Sequence, residues 1–189
     1  MKKTSNILIT ILLISTFFIA CKKDKTIKKD SYPEPTQKGA DVIAYRVNGK
    51  AIIVKGLQAR AGIMAVYNGD KPKDISIVIG AHQMDADNKK TNDLSIILHI
   101  KEPITLNTPI ELRSQELINA DSYIDGGYAS YTNLADMSEW GVTQNEDPGQ
   151  IIITRNDSGI LSGTFSFKAF NYNVPGKHLE ITDGVFDIR

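Results

Sequence analysis

Cysteine and histidine are scarce in this chain: its 189 residues include one cysteine, Cys21, and three histidines, His82, His99 and His178. A single cysteine excludes an intramolecular disulfide, so an ordinary apolar core must stabilise the fold. A zinc site needs its ligand atoms about 2 Å from one ion, and few side chains are available to supply them. We therefore expect no disulfide, no metal and no cofactor.

The short motifs of common catalytic sites are also missing. The chain contains no Gly-x-Ser-x-Gly or Ser-x-x-Lys nucleophile motif, no Gly-rich phosphate loop and no His-Glu-x-x-His pair. On this ground we expect no catalytic residues and no enzymatic activity. Two carboxylates about 5–10 Å apart could still form a glycosidase pair, and the sequence alone does not decide which acids the fold brings together.

The single cysteine ends the most apolar segment of the chain. Residues 7–20 are apolar except for three hydroxyl residues and follow a basic start, which is typical of a signal peptide. A membrane-spanning helix would need about 20 apolar residues. FIAC at residues 18–21 resembles the lipobox of bacterial lipoproteins, which implies that Cys21 is acylated and becomes the mature N-terminus. An uncleaved anchor with an incidental cysteine is the alternative.

A polar segment, residues 22–38, separates the cysteine from the rest of the chain. It contains one aliphatic residue and two prolines among many charges, so it cannot bury enough apolar surface to fold. We predict a signal peptide over residues 1–20, a lipidated cysteine and flexible tether over residues 21–38, and one domain over residues 39–189. CKKD at the start resembles lipoproteins from Bacteroidota, which implies attachment in the cell envelope at the outer membrane; the periplasmic and surface leaflets both stay open.

Net charge argues against a nucleic-acid partner. The whole chain has 22 basic and 22 acidic residues, but residues 39–189 keep 14 basic and 19 acidic ones, a net charge of −5. Nucleic-acid binders gain much of their affinity from Lys and Arg contacts to phosphates. We expect the membrane as a partner, through the N-terminal lipid, together with a glycan or another envelope protein.

Alternating apolar residues and turn signals predict β-hairpins in residues 39–189. Asn48-Gly49 is a strong two-residue hairpin signal. Closing the turn there places the apolar residues of both arms on one face: Ile43, Tyr45, Val47, Ile52 and Val54. A second hairpin pairs residues 74–83 with residues 93–101, with Ala81 opposite Leu94, Ile75 opposite Ile100, and a polar tip at residues 84–92.

A third hairpin pairs residues 160–171 with residues 178–188. Its apolar pattern changes phase at Asp183-Gly184, which predicts a β-bulge in which the glycine relieves the backbone. Further strands are predicted at residues 62–68, 109–112, 123–131 and 150–154, and helical turns only at residues 114–120 and 133–140. The fold class is therefore all-β: an antiparallel sandwich or flattened barrel of about ten strands.

Three short segments in these strands are VNGK at residues 47–50, GTFSF at residues 163–167 and ITDGVFD at residues 181–187. Together they resemble a family of Bacteroidota lipoproteins of unknown function. The resemblance implies a domain of this family over roughly residues 39–189 and attachment to the envelope by lipid. It implies no particular activity.

Two groups of potential metal ligands do not fit a metal site. The predicted register places His82 roughly 20 Å along the sheet from His99, at about 3.3 Å per residue, which is too far for one zinc ion. Residues 85–88 begin like a calcium loop, but Lys90 and Ile96 stand where the EF-hand loop needs Gly and Glu. A solvated hairpin tip explains this segment better.

One segment, residues 114–154, combines acids with aromatic rings. It contains no Lys or Arg but seven Asp and Glu residues, three tyrosines and the only tryptophan. Sugar sites use rings that stack on apolar faces, and carboxylates bind hydroxyls or Ca²⁺. The candidate ligand-binding residues are Tyr128, Tyr131, Trp140, Asp125 and Asp136. The alternative is a solvated loop over core rings, which a buried Trp140 would favour.

These features predict a lipid-anchored cell-envelope protein that acts as a non-enzymatic binding or accessory module. Its expected ligand is a glycan or an envelope protein. The alternative is a small carboxylate-dependent hydrolase that acts on an envelope or extracellular glycan through residues 114–154.

Overall fold

The computed structural model describes residues 32–68, 71–100, 104–114, 126–142 and 148–189, apart from the side chains of residues 64–68 and 71–74. The predicted signal peptide, Cys21 and the first part of the predicted tether lie outside these residues. Within them the chain forms one 3-10 helix, Gly56–Gln58, and eleven strands. The strands are β1 (Val42–Val47), β2 (Lys50–Lys55), β3 (Ala59–Asn68), β4 (Lys71–Met84), β5 (Lys90–Ile100), β6 (Pro109–Leu112), β7 (Gly126–Asn133), β8 (Ser138–Gly141), β9 (Gly149–Asp157), β10 (Ile160–Asn171) and β11 (His178–Ile188). No helix in this part of the chain is long and apolar enough to cross a membrane.

One sheet contains all of these strands, in the order β2-β1-β11-β10-β9-β6-β7-β5-β4-β3. The remaining strand, β8, pairs with both β10 and β7. Every pairing is antiparallel except that of β6 with β7. The sheet curls so that β3 lies near β1 and β11, and β2 lies near β4. The predicted all-β sandwich or flattened barrel is confirmed, with eleven described strands instead of about ten.

The β1–β2 hairpin has the predicted register, with Tyr45 opposite Ile52. The turn residues Asn48 and Gly49 have φ values of 47° and 82°. Positive φ at both positions is what a tight hairpin turn needs, and Asn and Gly adopt it at the lowest cost. Ile43 and Tyr45 are fully buried, so the predicted apolar face does point to the core.

The β4–β5 hairpin also has the predicted register, with Ala81 opposite Leu94 and Ile75 opposite Ile100. Its tip is shorter than predicted. The two strands continue toward each other, so the loop covers residues 85–89. The ladder extends past the last apolar pair because strand pairing uses backbone hydrogen bonds. Polar residues at the end of a hairpin can form these bonds just as apolar residues do.

The β10–β11 hairpin spans the predicted residues, and the register shift between Phe165 and Phe167 confirms the predicted bulge. The residue with positive φ is Asp183, at 52°, and not Gly184. A Cβ at Gly184 would lie 2.5 Å from ring carbons of Phe165. The backbone oxygen of Phe165 would lie equally close, at 2.5 Å, so the glycine makes room for both the ring and the backbone of Phe165, while the positive φ of the bulge falls on Asp183.

The remaining strands lie where they were predicted, although their lengths differ. β6 has the predicted bounds, β3 and β9 are longer, and β7 extends to Asn133; residues 123–125, the predicted start of β7, lie outside the described residues. The predicted helical turn over residues 133–140 is wrong: a turn at residues 134–137 joins β7 to β8. The apolar spacing there belongs to two paired strands. Of residues 114–120 only Ser114 is described, and it lies in neither a helix nor a strand.

The inner face of the sheet forms one apolar core around Tyr45. Its ring packs edge-on against Tyr131, with centroids 6.4 Å apart, and is tilted against Phe165 at 6.3 Å. Isoleucine and leucine residues of β4, β5 and β9 fill the space around these rings. Successive residues of a strand point to opposite sides, so the residues between these core positions form the outer face of the sheet.

Residues 32–39 form an N-terminal strap that lies against the end of β11. The strap is held by Asp187, which is only 2% exposed. Its carboxylate accepts hydrogen bonds from the backbone N–H groups of Lys38 (3.1 Å) and Gly39 (2.8 Å) and from the hydroxyl groups of Thr36 and Ser162. The compact unit begins at Tyr32. Residues 32–38, the last seven residues of the predicted tether, are included in this compact unit.

Candidate functional site

Two of the five residues predicted to bind a ligand face the core. Tyr131 on β7 lies opposite Trp140 on β8, and the two side chains are 5% and 4% exposed. The indole N–H of Trp140 donates to the Ser138 hydroxyl (2.9 Å). Burial, with a smaller effect of the Asp136 carboxylate, raises the pKa of Tyr131 to about 12. Neither ring presents a face on which a ligand could stack.

The other predicted residues lie apart from these two. Tyr128 is three positions from Tyr131 on the same strand, so it points to the outer face. Asp136 lies in the exposed β7–β8 turn, where its carboxylate accepts hydrogen bonds from the hydroxyl (2.6 Å) and the N–H (3.0 Å) of Ser138. These bonds lower the pKa of Asp136. Asp125 lies outside the described residues, so the predicted residues do not form one site in the part of the chain that is described.

Residues 114–154 contain no Lys or Arg, but a lysine from another hairpin lies beside them. Lys177, in the β10–β11 turn, places its Nζ 5.3 Å from the centre of the Trp140 ring. The same ammonium group contributes to the lowered pKa of Asp136. A lysine from another hairpin therefore supplies a positive charge beside Trp140 and Asp136.

The outer face carries a row of small residues that crosses four strands. Gly80 on β4 lies opposite Ser95 on β5, Ser95 opposite Ser130 on β7, and Ser130 opposite Gly141 on β8. Arg60 on β3 lies opposite Gly80 and ends the row. With strands about 4.8 Å apart, the row is about 19 Å long from β3 to β8. Larger side chains stand beside the row, and we call the row together with these neighbours the trough; its part on β3, β4 and β5 lines a depression.

The two walls of the trough differ in chemistry. Side chains two positions from the floor residues share their face. The wall in one direction is apolar and consists of Val78, Ile97 and Tyr128. The wall in the other direction is polar and consists of His82, Asp93, Thr132 and Glu139. A molecule in the trough would meet carbon and one aromatic ring on one side, and hydrogen-bonding groups on the other.

At the β3–β5 end the trough opens into a depression of about 500 Å³. Gly62 widens it, since a Cβ there would meet no atom within 4 Å. The Nε–H of Arg60 donates to the carbonyl oxygen of Leu57 (2.6 Å), which orients the guanidinium group at the mouth of the depression. Arg60 is one of the residues that line this depression.

A charged network lies on the polar wall at the same end. His82 Nδ1 is 2.7 Å from Asp93 Oδ1, and the Lys90 ammonium group donates to Asp93 Oδ2 (2.8 Å). With Nδ1 engaged, Nε2 is the ring nitrogen of His82 that a ligand can contact. His99 is on the outer face as predicted, opposite Ser76. Across the described residues no three metal-ligating side chains come together.

Tyr172 closes the other end of the trough, over β8. Its backbone N–H donates to the carbonyl oxygen of Glu139 (3.2 Å). Its hydroxyl group lies over Gly141, where a Cβ would be 1.9 Å from the oxygen. Burial, followed by the nearby Glu139 and Tyr128, raises the pKa of Tyr172, although the side chain is still 50% exposed. Two tyrosines therefore stand close together at this end.

Sequence reasoning missed the trough because it crosses strands that are far apart in the chain. Only the register within a hairpin can be derived from local signals. One such signal was available, since the predicted β4–β5 register already places Gly80 opposite Ser95 on the outer face. The pairings of β5 with β7 and of β7 with β8 complete the row.

Comparisons with known proteins identify a family without an assigned role. No curated protein and no solved structure matches the chain. A family model matches residues 80–187, which extend from the middle of β4 to the end of β11. The match includes the trough floor from Gly80 to Gly141, while Arg60 precedes it. It agrees with the predicted membership of a family of unknown function. The chain belongs to the family described as "Domain of unknown function (DUF6252)".

Proposed function

We propose that this protein is a lipid-anchored cell-envelope protein and that its β-domain is a non-enzymatic binding module with the trough as its ligand site. The lipid anchor is inferred from the sequence around Cys21, and the ligand site is inferred from the outer face of the sheet. The ligand belongs to the envelope: a glycan or another envelope protein.

The observation that supports this binding site is that two strand positions in the trough are glycine although no described contact requires a glycine there. Gly62 and Gly80 lie in strand interiors without positive φ. A Cβ would meet nothing within 4 Å at Gly62 and only the Leu94 carbonyl oxygen at 3.9 Å at Gly80. Glycine weakens a strand by about 0.5–1 kcal/mol relative to alanine. Since no described residue packs closely enough to require either glycine, we explain them by the close approach of another molecule.

The anchor is supported by the sequence around Cys21. FIAC resembles a lipobox, and two or three acyl chains give stable membrane attachment where one chain gives only marginal binding. The resemblance of CKKD to lipoproteins of Bacteroidota supports the outer membrane as the site of attachment. The Lys-rich residues that follow favour a location beside anionic lipid headgroups.

Filling the floor of the trough tests the site. The full-length protein in detergent micelles is screened against an array of linear oligosaccharides and against envelope extracts, and hits are measured as a rise in melting temperature by mass action. Ser95→Ile places a bulky, strand-favouring side chain on the floor and should abolish this rise without lowering the melting temperature of the free protein.

The matched control is Ser166→Ile. Ser166 is also half-buried on an outer face, but it lies on β10 opposite Gln150, outside the trough. This variant should respond to ligand as the wild type does. Equal responses of Ser95→Ile and wild type would show that the ligand binds elsewhere.

A carboxylate-dependent hydrolase is the second candidate, because two acids line the same wall. Asp93 and Glu139 are separated by one strand, so their Cα atoms are about 10 Å apart, near the separation of about 6.5–9.5 Å found between inverting carboxylates. Asp93 is already bound to His82 and Lys90, which favours binding over hydrolysis. Mass spectrometry of the oligosaccharide after incubation with the protein distinguishes the two candidates. Cleavage by the wild type that is lost in Glu139→Gln would establish the hydrolase.

A further inference from the structure

We propose that β3 pairs along its free edge with β3 of a second copy of this chain, so that one sheet continues through a dimer. The free edge is the side of β3 that faces away from β4, and the proposal does not depend on what binds in the trough. Three observations support it: unpaired backbone groups, uncovered space on both faces of the edge, and a charge pattern that permits two copies of β3 to pair.

The backbone of β3 specifies the kind of partner. The sheet ends at β3 on one side and at β2 on the other. β3 covers Ala59–Asn68, and within the described part of the chain only β4 forms a ladder with it. A strand edge of this kind presents a row of N–H and C=O groups that another extended strand can pair with. The occupant of this edge is therefore an extended polypeptide.

On the core-facing side of this edge, an apolar residue is left uncovered. Ile63 lies opposite Ile77 of β4, but Ile77 is fully buried and Ile63 is 46% exposed. Ile63 lines an opening of about 210 Å³, together with Ile160, Leu161 and Ile188 from the start of β10 and the end of β11. Paired residues of neighbouring strands share a face, so a strand added beside β3 would direct an apolar side chain into this opening.

The outer side of the same edge also has room. Gly62 lines the depression of about 500 Å³ on the outer face as well as the opening on the core side. A Cβ at Gly62 would meet no atom within 4 Å, so the residue opposite it in an added strand would find space for its side chain. Peptides that extend a sheet gain affinity from backbone hydrogen bonds and place alternate side chains in pockets. The edge of β3 offers both.

The charges of the other edge strand, β2, oppose pairing with a second copy. Two copies related by a two-fold axis bring the same surface together, so a strand pairs with its own sequence in the reverse direction. Full pairing of β2 would place Lys50 of one copy opposite Lys55 of the other. Like charges directly opposite each other destabilise a strand pair, and lysine on an edge strand is a common protection against such pairing.

β3 lacks this protection. Its ten residues contain one charged side chain, Arg60. When Ile63 of one copy lies opposite Ile63 of the other, Arg60 lies opposite Val66, so that no like charges meet. The same register places Ala61 opposite Ala65, which keeps small apolar residues on both sides of the central pair. A second copy therefore supplies a strand of the right length whose sequence is compatible with the edge.

Sedimentation equilibrium tests the dimer on the full-length protein, with detergent micelles in large excess over lipid anchors. One pair of strands buries less than the roughly 1,600 Å² of a standard interface, so we expect a dissociation constant in the micromolar range. Ile63→Lys places a charge on the edge and should raise this constant about tenfold or more. Its melting temperature when dilute should stay near that of the wild type, because Ile63 is half-exposed.

The matched control is Ile53→Lys. Ile53 is also an isoleucine on an edge strand and is 36% exposed, but it lies on β2. This variant should dimerise as the wild type does. A wild-type protein that stays monomeric up to millimolar concentration, or equal weakening by both substitutions, would overturn the proposal.

Hydrogen exchange of the backbone amides identifies the strand that pairs. In concentrated wild-type protein the amides of β3 should exchange more slowly than in dilute protein, while those of β2 should exchange at the same rate. A dimer in which β3 gains no protection would contradict pairing through this edge.

A synthetic peptide with the sequence of residues 59–68 tests the edge without any change to the protein. It should compete with the dimer, and the same peptide with Ile63→Lys should not; equal effects of the two peptides would overturn strand pairing. Ser95→Ile separates this proposal from the trough, because Ser95 lies on β5, two strands from the edge. Ser95→Ile should dimerise as the wild type does even where it abolishes the response to a trough ligand. If it also abolished the dimer, the partner would be bound by the trough and not by the edge.

Discussion

At the scale of single residues, Asp187 links the N-terminal strap to the last strand. Burial of its side chain alone would raise the pKa. The hydrogen bonds donated by Thr36 and Ser162 and by the backbone of the strap outweigh burial and lower the pKa of Asp187 from 3.8 to about 2. The ionised carboxylate is therefore the form that the folded protein binds.

Protonation of Asp187 should destabilise the domain. Because its pKa is about 2 in the folded protein and 3.8 without these contacts, its contribution is fully present above about pH 4. It is lost as the pH falls through about 2. From the size of the shift the contribution is about 2 kcal/mol, which urea unfolding at pH 7, 4 and 2.5 can measure.

Asp187→Asn separates this effect from general acid unfolding. An asparagine turns one oxygen into an N–H donor that faces a backbone N–H of the strap, so the variant should be less stable than wild type by about 2 kcal/mol or more at pH 7. The difference should shrink at pH 2.5, where the wild-type carboxylate begins to be protonated. A difference that is the same at all three pH values would contradict this role of the charge.

At the scale of secondary-structure elements, the β1–β2 turn depends on backbone conformation alone. Gly49 has a φ of 82°, and a Cβ there would meet no atom within 4 Å. Gly49→Val should therefore lower the free energy of unfolding by about 1 kcal/mol or more, since a β-branched residue resists positive φ. The measurement is the midpoint of urea unfolding.

Gly62→Val is the matched control for this prediction. Gly62 also has open space around its Cβ position, but its φ is not positive. Valine favours strands, so this variant should be as stable as wild type or more stable. If both variants were destabilised equally, the positive φ of Gly49 would not be the cause of the destabilisation.

Local signals explain which elements the sequence could predict. Asn48-Gly49 determines both the turn and the register of its hairpin, because it has few alternative conformations. Residues 133–140 lack such a signal, and their apolar spacing fits a helical turn as well as two short strands. Two strands form there instead of a helical turn because Trp140 on β8 pairs with Tyr131 on β7. This pairing places both rings in the core.

The predicted ligand-binding residues that are described lie apart for a related reason. Composition grouped Tyr128, Tyr131 and Trp140 in one acidic segment, but strand alternation sends Tyr128 to the outer face and the other two to the core. Their positions follow from the strand assignment of residues 126–133, which the sequence predicted only as far as residue 131. The Lys177 ammonium group that approaches Trp140 comes from another hairpin, and no local pattern could indicate it.

At the scale of the whole molecule, the trough depends on the topology of the sheet. β8 pairs with both β7 and β10, so it brings Gly141 next to Ser130 and brings the start of the β10–β11 turn over the floor. Tyr172 then reaches a row whose other end is Arg60 on β3. The site is therefore a property of the assembled sheet, and no single hairpin contains it.

The last prediction concerns the anchor of the molecule. Cells that produce the wild-type protein should incorporate labelled palmitate into it, and Cys21→Ser should abolish both the label and retention in the membrane fraction, because no other cysteine is present. The trough is built from residues 60–172, so purified Cys21→Ser protein should melt at the wild-type temperature and keep its response to oligosaccharides. Labelling of the variant would overturn the lipid anchor and leave the binding site intact. Loss of the response to oligosaccharides together with the label would instead mean that the anchor and the domain are coupled through the strap.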